Sequence, residues 1–137
     1  DEVLEAFARV EHLYPLLAVG PNFLVTHAEP QAFYSRTDVI EYRNNPEVVF
    51  GLTWTPNDGA EEGSVERMLT HYLGTSEALN FGGHRPIAGA YELRAEGRYV
   101  QLHNPDAEVI AVLPVDRPIE LSRDIIMLNA HEELSHG

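Results

Sequence analysis

A mixed α/β domain, with a sheet flanked by helices and antiparallel strands at the end, is the fold class that the sequence predicts. Helical and strand patterns alternate through the first part of the chain. Two strand patterns around a Gly-containing turn then indicate a hairpin, and a further strand pattern follows it. At 137 residues the chain is long enough for one domain, or for part of one, and too short for two ordinary domains.

The first half of the chain contains two helical patterns and three strand patterns. Apolar residues recur at helical spacing over residues 2–14, and residues 37–43 favour a short helix capped by the residue at 37 or 38. Residues 23–25 favour a short buried strand. Residues 48–50 and 52–54 favour a strand or extended chain.

The second half begins with a helix and continues mainly as strands. Ser64 is a good helix cap, and Gly74 ends the apolar helical face that follows it. The remaining predicted elements, in chain order, are a strand at 79–81, hairpin strands at 91–94 and 98–103 around Ala95-Glu96-Gly97, a strand at 108–115 and a helical tail from about Ser122.

The charge of the chain excludes two classes of partner. Nine basic residues, all of them Arg, face 22 acidic residues, and the net charge is −13. Because nucleic acids and anionic lipids require a basic surface, we expect neither as a partner. A phosphorylated substrate would also be repelled unless bound cations reversed the local field. No apolar run approaches the ~20 residues of a membrane span, and the absence of Cys fits a cytoplasmic protein.

Two histidines share one sequence context. His27 follows the strand pattern at 23–25, and His84 follows the strand pattern at 79–81. In open α/β sheets, ligands gather at the carboxyl ends of strands, and imidazole is the commonest nitrogen ligand for transition metals. The two histidines could therefore share one metal ion. Considered alone, this signal is weak, and an isolated histidine is more often a hydrogen-bonded structural or surface side chain.

The sequence around these histidines resembles a known enzyme family. Its order of motifs over residues 7–115 is similar to the C-terminal half of the calcineurin-like metallophosphoesterases, nearest the serine/threonine protein phosphatases. The motifs are Tyr14-Pro15-Leu16-Leu17 leading to Phe23-Leu24-Val25-Thr26-His27-Ala28, then Leu52-Thr53-Trp54 with Pro56, Gly83-His84-Arg85-Pro86, and a hairpin from Arg94 to Asn104.

The resemblance implies a fold and a chemistry. The fold would be half of a sandwich of two sheets flanked by helices, with metals at the loop end. His27 and His84 would bind one ion of a site holding two divalent metal ions (Mn, Fe or Zn), and that site would hydrolyse a phosphoprotein or a small phosphate monoester. Arg85, where the family has Thr or Gln, is expected to contact the phosphate as a catalytic residue. A plain surface arginine is the alternative.

Other family motifs are absent ahead of His27, namely Asp-x-His, Gly-Asp-x-x-Asp and Gly-Asn-His-Glu. The chain also begins with Asp1 in a helical pattern. We therefore expect a partial domain over residues 1–137 that is inactive without an N-terminal half. Glu29, where the family has Gly, would either add a ligand or repel phosphate. The alternatives are a non-catalytic, degenerate phosphatase-like domain used in binding or regulation, and an unrelated acidic α/β binding domain.

The remaining histidines are weaker candidates. His103 lies where the family has a loop near the site, so it either approaches the substrate or ends a strand. His12 and His71 lie on helical patterns and are expected to be structural or surface residues. His131 and His136 are five residues apart, whereas two metal ligands on one helical face need a separation of four, so we interpret them as part of an acidic tail.

Overall fold

A five-stranded mixed sheet lies at the centre of the computed structural model, which describes residues 16–129. The strand order is β1-β2-β3-β5-β4. The three inner strands β2, β3 and β5 are parallel, and the edge strands β1 and β4 are antiparallel to their neighbours. The predicted α/β class with a mixed sheet is confirmed. The strands are β1 (Leu17–Val19), β2 (Phe23–Thr26), β3 (Leu79–Gly82), β4 (Glu92–Arg94) and β5 (Tyr99–Gln101).

Helices cover one face of this sheet. They are α1 (Arg36–Ile40), α2 (Pro46–Thr53) and α3 (Ser64–Leu73), with a 3₁₀ turn at Tyr42–Asn44 between the first two. Their apolar side chains form a core with Leu24 of β2 and Tyr99 of β5, both fully buried; the helical residues of this core are Val48, Leu52, Val65, Met68, Leu69 and Tyr72.

A two-stranded antiparallel sheet covers part of the opposite face. It pairs β6 (Ala107–Ala111) with β7 (Ile125–Asn129), and Ile110 lies opposite Ile126. A single helical turn, α4 (Leu121–Asp124), precedes β7. The inner face of this sheet joins a second apolar core around Phe81 and Val100. The described residues therefore form three layers, with the five-stranded sheet in the middle.

Glycine and serine set the ends of the helices. Gly63 precedes α3 and Gly74 follows it, both in the left-handed conformation that glycine adopts most easily, so the predicted C-terminal end of this helix is confirmed. The predicted cap was wrong by one position, because Gly63 occupies it and Ser64 is the first helical residue. Helix α1 is capped by Ser35, whose side chain accepts the Asp38 amide while the Asp38 carboxylate accepts the Ser35 amide. The predicted cap at residue 37 or 38 was wrong by two or three positions.

Two predicted elements are wrong. Residues 48–54 are not a strand, because Pro46 begins α2 and the spacing of four between Val48 and Leu52 buries both on one helical face. The helical tail from Ser122 is one turn followed by β7, which pairs with β6 in a separate sheet. The predicted helix at 2–14 and the tail histidines lie outside the described residues. No helix between residues 16 and 129 is both long and apolar enough to cross a membrane.

Candidate metal centre

His27 and His84 lie side by side at the carboxyl ends of two neighbouring parallel strands. The centres of their rings are 5.6 Å apart, and the ring planes are inclined by 48°. The pairing of Val25 with Phe81 in β2 and β3 sets this arrangement, because it leaves each histidine just beyond the end of its strand. With Zn–N bonds of about 2.0–2.1 Å, two imidazoles on one ion have ring centres about 5–6 Å apart. The observed separation therefore fits a shared ion.

Hydrogen bonds between loops fix the positions of the two histidines. The Gly83 amide donates to the His27 carbonyl at 2.9 Å, and the Ala28 amide donates to the Leu52 carbonyl at 3.0 Å, so the His27 loop is joined to both the His84 loop and α2. Beneath them, buried Asn80 donates to the Thr26 hydroxyl at 3.0 Å. These bonds hold the paired rings on a rigid base.

The backbone at His84 adopts an unusual conformation. Its φ angle is +70°, and the Arg85 amide donates to the Gly83 carbonyl at 2.9 Å across it. Together these values define a γ-turn of the rarer kind, in which the central residue has positive φ and is strained. Such strain in a non-glycine residue persists only where the surroundings enforce it, and it clusters at functional sites.

The surroundings of His84 favour its neutral imidazole. Burial lowers the pKa of His84, and the nearby charges of Arg85, His27 and His103 lower the pKa further, while the neighbouring Trp54 backbone opposes the shift. The Nε2 atom is shielded from solvent and has no hydrogen-bond partner within residues 16–129. Since a metal ion binds the neutral form of histidine, the environment suits a ligand.

An open cleft runs past the histidine pair between the two sheets. Its volume is about 640 Å³, and it is lined by His27, His84 and, at the end of β5, His103. The backbone carbonyl of His103 accepts the Ile87 amide at 2.8 Å, and its side chain is exposed. His103 therefore lies in the same cleft as the pair, as one of its two sequence interpretations requires.

Trp54 contacts His84, which the comparison of sequence motifs did not predict. It follows α2 immediately, and its indole meets the His84 ring edge-on, with ring centres 5.3 Å apart and planes at 89°. In the sequence it served only as part of a Leu-Thr-Trp motif. A prediction of α2 would have placed its side chain at the helix end, but the segment was interpreted as extended chain.

Arg85, Glu29 and Trp54 do not line this cleft, although Trp54 contacts His84, which does. Arg85 is next to His84 and lowers its pKa, but its Nε atom is buried and has no partner among the described residues. Glu29 lies in another cleft of about 570 Å³ and forms an ion pair with Arg94 at 3.2 Å. Asp58 also contacts Arg94. Burial raises the pKa of Glu29.

The described residues bring two candidate ligands together, His27 and His84, and not a complete metal shell. Between residues 16 and 129, no group of three or more His, Cys, Asp or Glu side chains is arranged to hold a metal ion.

Comparison with known proteins adds no relative, because no family model, no curated protein and no solved structure matches the chain. Fold and site together define a mixed α/β domain with paired histidines at the carboxyl ends of its parallel strands.

Proposed function

We propose that this chain contributes a two-histidine half-site to a metal-dependent phosphoesterase that hydrolyses a phosphoprotein or a small phosphate monoester. The observation that carries the proposal is the 5.6 Å separation of the His27 and His84 rings beyond neighbouring parallel strands. Two residues 57 positions apart meet there in a geometry that fits one ion. The order of motifs that resembles the metallophosphoesterases supports phosphate ester hydrolysis over other metal chemistry.

The surface charge of the chain makes a bound cation necessary for this function. The net charge of −13 repels a phosphate dianion. A divalent ion held by His27 and His84 would supply the local positive charge that draws in the phosphate and polarises its oxygens. The chain itself holds the two proposed ligands in place, through Asn80 and through the hydrogen bond from the Gly83 amide to the His27 carbonyl.

The remaining ligands, and the second ion that the resemblance implies, must come from outside residues 16–129. A two-histidine site leaves at least two positions of a tetrahedral shell open, so we expect weak metal binding by the chain alone. An N-terminal half of the domain, with the Asp-x-His, Gly-Asp-x-x-Asp and Gly-Asn-His-Glu motifs, is the partner that would complete the site.

A non-catalytic, phosphatase-like binding domain is the second candidate. The observation that favours it is the engagement of Glu29, the nearest carboxylate in sequence to His27, in an ion pair with Arg94 in a different cleft. With that carboxylate committed elsewhere, the described residues bring no acidic ligand to the histidines. Such a domain would bind metal or phosphate without turnover.

A calorimetric titration with Mn²⁺ tests the half-site. We expect weak binding by the parent chain that is lost in both His27→Ala and His84→Ala, because each variant leaves a single ligand. The matched control is His71→Ala, which removes a histidine that lies on α3 against Phe33. Binding that survives in either variant, or that His71→Ala also abolishes, would contradict the proposal.

Hydrolysis separates the two candidates. A protein that joins this chain to the N-terminal half with the missing motifs should hydrolyse an aryl phosphate in Mn²⁺, and His84→Ala should abolish that activity. Metal binding without hydrolysis in that longer protein would favour the binding domain. Absence of metal binding in both forms would refute the phosphoesterase, and absence of phosphate binding as well would refute the binding domain.

A further inference from the structure

Two exposed aromatic side chains lie near the end of α2, and one of them, Trp54, contacts His84. Trp54 is 55% exposed although its ring packs against His84, and Phe50 is 53% exposed. The Trp54 amide donates to the Phe50 carbonyl at 2.8 Å, so the two residues are one helical turn apart on the same side of the helix. Large apolar side chains scattered singly on a surface are ordinary, but two adjacent ones at a candidate site are not.

The position of this aromatic pair is fixed relative to the histidines. The end of α2 is bonded to the His27 loop through the Ala28 amide and the Leu52 carbonyl at 3.0 Å, and the buried Thr55 hydroxyl donates to the Gly51 carbonyl at 2.9 Å. The backbone that carries the indole is therefore held beside the His27 loop, next to the place where a phosphate would bind. A ligand that contacts it there loses little entropy in ordering the site.

We propose that Trp54, with Phe50 beside it, binds a planar aromatic ring in the alcohol part of the phosphate ester. This inference rests on the proposed function and adds a substrate class to it, namely aryl or nucleoside phosphates. An aromatic ring suits this surface for two reasons. Indole and phenyl faces stack on planar rings with offset or edge-on geometry, and stacking tolerates different ring systems.

The chain has one tryptophan, which makes the test direct. Trp54 fluorescence reports on the ring site, and calorimetry reports on affinity. We would titrate two matched pairs of ligands in Mn²⁺: phenyl phosphate against methyl phosphate, and adenosine monophosphate against ribose 5-phosphate. Each pair differs by an aromatic ring and shares the phosphate, and the two pairs distinguish an aryl group from a nucleobase.

We expect the ring-bearing member of at least one pair to bind about fivefold more tightly or better, the lower end of the contribution of one base stacked on an aromatic side chain. Trp54→Leu should remove that difference, and Phe50→Ala should reduce it. Mn²⁺ affinity should persist in Phe50→Ala, because Phe50 is not a proposed ligand. The matched control is Phe33→Leu, which alters a partly exposed aromatic beside His71.

The outcomes separate this inference from the proposed function. Bound Mn²⁺ with equal affinities within both ligand pairs, or a preference that persists in Trp54→Leu, overturns the inference and leaves the metal site intact. If Mn²⁺ does not bind, the metal site fails, and the same pairs are titrated without metal. A fluorescence change seen only with the ring-bearing ligand then supports the ring site, and no difference within the pairs overturns it.

Discussion

Replacing Gly82 with alanine should destabilise the protein, because the end of β3 has no room for a side chain. A Cβ atom on Gly82 would lie 2.7 Å from the Thr26 carbonyl oxygen, and closer still to the Tyr99 hydroxyl, whereas ordinary van der Waals contact begins at 3.4 Å. The carbonyl cannot move aside freely, since it belongs to β2, which is paired with β3. Tyr99 is fully buried and cannot swing out to solvent.

The expected cost can be estimated from these contacts. Overpacking a well-packed interior costs about 1–3 kcal/mol, and Gly82→Ala should reach the upper end, about 3 kcal/mol, because one of the two obstacles is backbone. For a chain of this size such a loss lowers the melting temperature by roughly 10 °C. Urea unfolding followed by circular dichroism measures the change in the free energy of unfolding and does not depend on Trp54 fluorescence.

Two further variants show whether the stated contacts are the cause. Tyr99→Phe removes a hydroxyl that has no partner among the described residues, so alone it should be neutral or stabilise by about 1 kcal/mol. Combined with Gly82→Ala it should restore part of the lost stability, leaving the clash with Thr26. Gly83→Ala is the control, since its Cβ would only reach the His103 Cβ at 3.5 Å. Equal losses for Gly82→Ala and Gly83→Ala would refute the reasoning.

Three other changes have definite expected results. The folded pKa of His84 is lowered, so neutral His84 contributes to the free energy of unfolding above its unfolded pKa of about 6.5, and this contribution is lost as the pH falls. His84→Gln should therefore flatten the decline of the urea midpoint below neutral pH. An unchanged decline would contradict this. Asp124→Asn should lower the urea midpoint at pH 7 and make its decline in acid less steep, because a backbone hydrogen bond from Glu120 and the Arg117 guanidinium lower the pKa of Asp124; equal acid profiles would count against it. Leu52→Ala should cost about 2–5 kcal/mol, because Leu52 is fully buried, whereas exposed Phe50→Ala should cost about 0.5 kcal/mol or less; similar costs would show that the helical core is misplaced.

The sequence predicted the strands that carry the site because their signals are local. A short apolar run ending at His27 and another ending at His84 gave both strand position and strand end, and the histidines are brought together as that pattern implied. The hairpin from β4 to β5 was equally predictable, since Ala95-Glu96-Gly97 separates two strand patterns. In the structure Gly97 has positive φ, as is common for glycine in such a turn.

Features that depend on distant partners were not predictable from the sequence. The Val48-Val49-Phe50 run has strand propensity, yet its helical burial depends on packing against the core around Leu24. Likewise, Ile125–Asn129 forms a strand because it pairs with Ala107–Ala111 across an intervening loop, which a short window of sequence cannot show. The contact between Trp54 and His84 was not predicted either, because the segment that contains Trp54 was interpreted as extended chain and not as a helix.

His84 combines two energetic costs that a purely structural histidine would not be expected to combine. Its positive φ places a non-glycine residue at the centre of a strained turn, at an expense of order 1–3 kcal/mol. Its buried Nε2 atom has no hydrogen-bond partner within residues 16–129, although buried polar atoms are normally satisfied. A structural role would favour a residue without the unpaired nitrogen, such as glycine in this turn. The proposed ligand role would account for both costs, because the turn brings the ring beside His27 and a metal ion would bond to a free nitrogen.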